Sequence, residues 1–600
     1  MLPVQKKSLR RGIVLFFILI AGIFLGIFFN RGFSENARFE KFTEDIFCSE
    51  VSGNTLTLHY TLAHPEKQGI SSNSPSLGKV PLDMEKTYQT CKNYEQRLQS
   101  FSPERLSEEN RITLDQLLLY FHTQRSLEDQ YLLEEYLSPS LGIQAQLPVL
   151  LAEYTFYRKE DISDYLKLLS QIKPYFQEIL SFEKKKSLAG FFMCDETLDR
   201  VQKQCREFIK DPDSNYMQDV FARKIADCSY IKEEEQGRLL TYHEKLLKEQ
   251  VIPAYQTLID GLEALRGTGR NSRGLYYYQG GKDYYRYLIR SQVGSFLSVE
   301  EIRKLLSSQL LSDLKEAASL TEKNPSLFSN LQRLSASLSL SPAQMLESLQ
   351  KQIQQDFPAL EAPSYELRYV HDSMKDFLSP AFYLTPPADT GSPNVIYLNR
   401  AKSTNCLDVF TTLAHEGFPG HLYQTVSFAR KNPPLVRYLF SSGGYVEGWA
   451  TYVESYACQY AASLSSVSQA SEAARLAWLN KSLNLCIYSL LDIGIHYDGW
   501  DENRSSAFLR SFGIRDASAV SEIYRYIAET PANYLKYYLG NLHFLQLKKE
   551  HMQKLGEDFN LKRFHQRILE IGPVSFPVLE KYMNADLPTQ KSPAGTSSRR

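Results

Sequence analysis

Thr411-Thr-Leu-Ala-His415-Glu416-Gly-Phe-Pro419-Gly420-His421-Leu-Tyr-Gln424 reads as an apolar helix carrying a His–Glu pair, broken at a Pro–Gly step just before a second His. A His–Glu pair on a helix, with another His further on, is how many hydrolases set two imidazoles on a zinc ion. The Glu beside the first His then faces the attacking water and takes its proton, which zinc acidifies from a pKa of about 15.7 to near 7. The usual spacing, H-E-x-x-H, leaves the two imidazoles about 40° apart around the helix. Here they are six positions apart, about 240° net at the same pitch, so a regular helix would turn them away from each other. Pro419 lacks a backbone donor and Gly420 tolerates unusual dihedrals, so the sequence predicts a bulge or break that brings His421 back to His415.

The third ligand candidate lies downstream in Gly443-Gly-Tyr-Val-Glu447-Gly-Trp-Ala-Thr-Tyr-Val-Glu454. A carboxylate on a second helix completes a His₂Glu set and leaves one position for water. Glu447 and Glu454 fall on nearly one face, about 20° apart. Glu447 is assigned to the metal and Glu454 to orienting a ligand imidazole, although the spacing alone permits the reverse. A lone His–Glu pair is common and means nothing. Two His around a Pro–Gly break, followed by an acid-bearing helix, is a far rarer coincidence.

Upstream of the His–Glu stretch, Ala381–Asn399 (AFYLTPPADTGSPNVIYLN) holds two β-like pieces, Ala381–Leu384 and Asn394–Leu398, around a Pro/Gly/Ser turn. A hairpin or edge strand there, beside a helical site, can hold an extended peptide by main-chain hydrogen bonds. From Arg38 to about Val370 the chain reads as amphipathic helices, among them Ile112–Tyr136 and Ile162–Phe182. Breaks at Ser138–Pro148 and Gly267–Gly281 separate them. Helices resume from Leu407 to about Met583. The expected fold is therefore mainly α: a large helical metallopeptidase-like fold with a cleft, a small β element before the metal helix, and an N-terminal transmembrane helix. The expected division is a basic cytoplasmic stretch (1–11), a membrane anchor (12–29), a helical N-terminal part (30–370), a catalytic metal-binding part (371–583) and a polar, disordered tail (584–600).

The anchor rests on Gly12–Phe29, an uncharged run rich in Ile, Leu and Phe that spans roughly 27 Å as a helix, just enough for a bilayer core. Lys6, Lys7, Arg10 and Arg11 precede it and place the N-terminus in the cytoplasm and the remainder outside. No A-x-A site follows the run, which disfavours a cleaved signal peptide. No Cys ends it, which argues against a lipoprotein anchor. A net charge of −1 over 600 residues gives no basic patch for nucleic acid. The eight cysteines form no C-x-x-C and read mostly as free, buried thiols.

These residues resemble the bacterial family known as domain of unknown function 885, whose members are described as gluzincin-like peptidases with H-E-x-x-P-G-H and E-G-W-A motifs. Both motifs stand here, as His415–His421 and Glu447-Gly-Trp-Ala450. The second also looks like the ligand-bearing helix of aminopeptidase N relatives. Leu491-Asp-Ile-Gly-Ile-His496-Tyr-Asp-Gly-Trp500 resembles the family's D-x-G-x-H-x-x-G-W stretch, and Gly280–Tyr285 its G-x-x-Y-Y segment. Thr530-Pro-Ala532-Asn533-Tyr-Leu-Lys536-Tyr537-Tyr-Leu-Gly540 resembles P-G-Q-x-x-x-Y-x-x-G, with Ala532 for Gly and Asn533 for Gln. The resemblance runs from about Arg38 to Arg567 and implies a gluzincin-like zinc peptidase; joined to the apolar N-terminal run and to a deep helical cleft, the expected enzyme is membrane-anchored and acts on short peptides. In it Glu416 is the base, and His496 and Tyr537 are oxyanion donors. The bland reading of either donor is a satisfied packing residue. Two rivals stay open at this stage: a zinc amidase or esterase on non-protein substrates, and a non-catalytic peptide-binding envelope protein. His and carboxylate ligands would also accept other divalent ions.

Overall fold

The computed structural model describes residues 34–587 apart from 71–73, 362, 371–374, 376–378, 403–404 and 586. The apolar run Gly12–Phe29, which the sequence reads as an anchor, and all of the tail beyond 587 lie outside the described residues. Among the described residues, no helix is long and apolar enough to cross a membrane.

The chain is mainly helical with one small sheet. The two β-like pieces form strands with the expected bounds, Ala381–Leu384 (β2) and Asn394–Leu398 (β3). They pair antiparallel, Phe382 opposite Tyr397. A further strand, Tyr365–Tyr369 (β1), runs parallel to β3 on its other side and makes β3 central and β2 an edge. All five residues of β3 are buried, as a strand covered on both faces requires.

The predicted helix Ile112–Tyr136 is in fact Glu108–Arg125 followed by a 3₁₀ segment, Glu128–Leu133. On its inner face Leu114, Leu117 and Phe121 are buried, while the neighbouring Leu118 is half-buried. Ile162–Phe182 lies within Lys159–Ala189. All eight cysteines are free, and Cys91, Cys205, Cys228, Cys458 and Cys486 are buried.

The core that supports the site packs Phe410, Leu413 and Ala414 of the His415 helix against Leu346, Leu349, Tyr445, Trp449 and Phe576. Burying side chains such as Phe410 and Leu413 contributes roughly 1.5–3 kcal/mol each, which fixes the helix that carries His415. This core reaches upstream of residue 371, through Leu327, Leu334 and the helix Pro342–Gln352.

Four histidines packed in the interior are held neutral. Burial pushes His59 and His565 down to about 3, and His243 and His496 down to about 4. In the unfolded chain each returns to an ordinary pKa near 6.5. Between those values the unfolded state binds more protons than the folded one, so stability is present above pH 6.5 and lost as pH falls toward 4. The thermal midpoint is expected to drop by several degrees from pH 7 to pH 5. A flat midpoint over that range in a calorimetric scan would show that these imidazoles are not held neutral.

Candidate metal centre

The first helix, Cys406–Glu416, is started by Asn405, whose side chain accepts from Asp408 N–H, and it ends at Glu416. A second helix, His421–Ala429, begins immediately after the break. The spacing problem is thus solved by two helices and a turn, not by a bulge within one. Gly420 N–H donates to Ala414 O at 2.9 Å, and Tyr423 N–H to Gly417 O at 3.1 Å, so the backbone ladder closes across the gap. Trp449 Nε1 donates to Pro419 O at 2.9 Å and pins the turn from the facing helix.

The result brings His415, His421 and Glu447 together, one ligand atom of each lying within 4.8 Å of the others. Glu447 Oε2 stands 3.5 Å from His415 Nε2 and 3.6 Å from His421 Nε2, and the two rings lie 4.7 Å apart at 90°. Those separations are long for hydrogen bonds. Tetrahedral donors about 2.0–2.1 Å from zinc are spaced about 3.4 Å from one another, so these residues fit the ion. Burial disfavours a charged His415, yet the adjoining Glu447 and Glu454 carboxylates outweigh it and hold the imidazole up to about 10. Burial likewise works against an ionised Glu447, but the two imidazoles keep its carboxyl well below the usual range. The pocket is built to attract positive charge.

Glu454 stands where an orienting carboxylate would. Its Oε1 meets His415 Nδ1 at 2.8 Å, and its other oxygen is bound by Lys481. A carboxylate on the far nitrogen fixes the ring and leaves Nε2 free for a metal. His421 Nδ1 has no such partner among the described residues. Glu416 is buried, and its Oε2 accepts Tyr383 N–H of the edge strand β2 at 2.9 Å. Lys481 and the Tyr383 amide were not legible in the sequence: a main-chain contact leaves no mark there, and a lone Lys carries no spacing.

The helix Asn533–Leu555 brings Tyr537 over the site, its ring 6.4 Å from that of His415. Burial and the nearby Glu447 push the phenol's pKa up, so it stays a donor, and its hydroxyl has no partner among the described residues. Close approach of this helix to the Glu447 helix depends on two glycines. A Cβ on Gly448 would meet Gly540 Cα at 2.5 Å, and one on Gly540 would meet Gly444 O at 2.2 Å. Ala532, standing where the resembling stretch has Gly, adopts φ 63°, a left-handed conformation that Gly tolerates far better.

His496 is a correction. The structure does not bring it to the cluster: it is fully buried, with Nδ1 accepting from Leu275 N–H at 3.1 Å and Nε2 donating to Ile527 O at 2.8 Å. With both nitrogens spent on backbone, it braces the Gly274–Leu275 loop against the end of its helix. Tyr538, beside Tyr537, is fully buried and bonded to Ser482.

No curated protein sequence matches the chain. Among solved structures it is similar to the "putative lipoprotein" of Colwellia psychrerythraea, with a TM-score of 0.79 and 18% identity over 92% of this chain and 99% of that one. It is also similar to a "putative lipoprotein of unknown function" from Shewanella oneidensis, with a TM-score of 0.62 and 15% identity over 90% and 98% of the two chains. At such identity the likeness is one of fold. Over residues 81–583 the sequence matches the bacterial proteins of unknown function grouped as DUF885, and the chain belongs to that family.

Proposed function

We propose that the chain is a zinc-dependent peptidase acting on short peptides at the cell envelope. The observation that carries this reading is the convergence of His415, His421 and Glu447 beside a buried carboxylate, Glu416, that a purely structural or binding role does not need. His415, His421 and Glu447 would hold the ion, and Glu454 would orient His415. When bound, zinc supplies Lewis-acid polarisation of the scissile carbonyl and acidifies the attacking water. Glu416 accepts the water's proton and returns it to the leaving amine as the C–N bond breaks. Tyr537 donates its phenol to the oxygen on which negative charge develops. The Tyr383 amide keeps the Glu416 carboxylate in place through the cycle.

The reading also takes Gly12–Phe29 as a single-pass anchor that leaves residues 30–600 outside the membrane. The lipoprotein descriptions of the two structural relatives favour an exported, membrane-tethered location, here through an apolar run in place of a lipid.

The test is metal content and turnover of the full chain in detergent. A mixture of N-acetylated pentapeptides with randomised residues is set beside ester and muropeptide substrates. One zinc per chain is expected, with peptide hydrolysis lost on treatment with 1,10-phenanthroline and regained with zinc. Hydrolysis confined to esters or muropeptides would replace the peptidase reading with the amidase or esterase one. Failure to retain zinc after reconstitution would remove the metal centre.

A further inference from the structure

The helix Asn533–Leu555 presents two consecutive polar heads that no described residue satisfies. Tyr537 faces the metal ligands. Lys536, about 100° around the helix, makes no hydrogen bond or ion pair with any described residue, although Glu447 and Asp492 act on it electrostatically. It lines a cavity of about 380 Å³ together with Asn533, Gln292 and Arg273. Of the acids of that wall, Glu135 pairs with Lys186, Glu196 with Arg525 and Glu529 with Arg200, while Glu134 accepts from Tyr136 Oη at 3.4 Å and makes no ion pair with Lys536. Arg273 is stacked on Tyr277. Lys536 is the cation of this wall with nothing against it.

A half-buried ammonium with no counter-ion in contact is unfavourable. Neither nearby carboxylate serves as one. Glu447 is directed at the two imidazoles. Asp492 Oδ1 is taken by Tyr285 Oη at 2.5 Å and by Ala532 N–H at 3.1 Å, its Oδ2 is buried without a partner and makes no ion pair with Lys536, and burial pushes its carboxyl up to about 7. An anion brought by a ligand would satisfy Lys536. Asn533, three positions earlier on the same helix face, offers a second donor, since its Nδ2 reaches only Tyr526 Oη at 3.5 Å. An ammonium and an amide side by side suit the two oxygens of a carboxylate.

We propose that Lys536, with Asn533, anchors the free C-terminal carboxylate of the peptide substrate, so that the chain works as a carboxypeptidase. This rests on the peptidase reading above. Position sets the length of the product. A Cβ on Gly443 would stand 3.3 Å from Lys536 Cδ, and Gly443 lies one turn before Glu447, about 6 Å along the helix. An extended chain covers about 3.3–3.6 Å per residue, so a carboxylate held there presents the bond one or two residues in from the end.

The experiment uses the full chain in detergent and two N-acetylated random pentapeptide mixtures, one with free C-termini and one amidated. Wild type is incubated with each and products are mapped by mass spectrometry. In parallel, Glu416→Gln and Glu416→Gln/Lys536→Met are immobilised and retained peptides are counted. Free-acid peptides are expected to be retained and cleaved at least tenfold better than amides, with loss of one or two C-terminal residues. Lys536→Met should erase that preference, and Lys536→Arg should restore most of it at an unchanged thermal midpoint. Equal handling of acids and amides, or a preference that survives Lys536→Met, overturns the anchor. A preference that follows internal Asp or Glu regardless of the terminus overturns it in favour of a side-chain site. If wild type cleaves nothing, the peptidase reading fails, while the retention contrast still decides whether Lys536 binds a terminal carboxylate.

Discussion

Glu416→Gln is expected to retain zinc at one ion per chain and to lose peptide turnover by roughly 10²–10⁴-fold, the range general-base removal produces. Glutamine has the shape of the acid, and its carbonyl oxygen can accept the Tyr383 N–H that Glu416 Oε2 accepts at 2.9 Å. None of the three donor atoms belongs to residue 416, so their mutual placement within 4.8 Å is untouched. What disappears is the ability to take a proton. Mass-spectrometric metal analysis and turnover on the random peptide mixture read the two properties separately. Loss of zinc together with activity would make Glu416 part of the metal's support. Undiminished turnover would assign the base elsewhere.

The candidate site was largely legible because its residues depend on local chain chemistry. A Pro–Gly step at a fixed offset from His415 can be read as a break, and seven-residue spacing puts Glu447 and Glu454 on one face without knowledge of the fold. Their division of labour was not fixed by spacing. It follows from where the helix Gly443–Ser463 crosses the His415 helix, which places Glu454 against Nδ1 and Glu447 against Nε2 of the same ring. Strands β2 and β3 announced themselves through apolar, β-branched and aromatic runs. β1, Tyr-Glu-Leu-Arg-Tyr, did not: it is an edge strand with mostly exposed side chains, and its pairing with β3 spans a long stretch of sequence. His496 shows the opposite failure. A His inside a recognisable motif invites a chemical role, yet nothing in the sequence reveals that two distant main-chain groups, of Leu275 and Ile527, occupy both of its nitrogens. Lys536 is silent in the sequence for the same reason, since a missing partner is visible only once the helices are packed.

Gly420→Ala is expected to release zinc by at least 100-fold in affinity, as loss or displacement of a ligand would. The added Cβ would stand 1.8 Å from His415 O and 2.4 Å from Ala414 O. Both are backbone atoms of the helix that carries the first ligand, so no side chain can swing aside to make room. Nor can the turn simply move away, because Gly420 N–H is bonded to Ala414 O and the Pro419 carbonyl to Trp449. Relief must displace the start of the second helix, whose first residue is His421. Forcing a methyl into such a contact costs typically 1–3 kcal/mol in stability, a modest loss beside the effect on a site that requires all three donors. The discriminating comparison is Gly237→Ala, in the exposed helix Glu233–Leu246, where a Cβ meets nothing within 4 Å. That change should leave zinc binding intact and raise stability by about 1 kcal/mol through helix propensity. Equilibrium competition with a chromogenic chelator measures both variants on one scale. If Gly420→Ala held zinc as tightly as wild type, the Pro–Gly turn would not be what sets His421 against His415, and the six-residue spacing would need another source of its geometry.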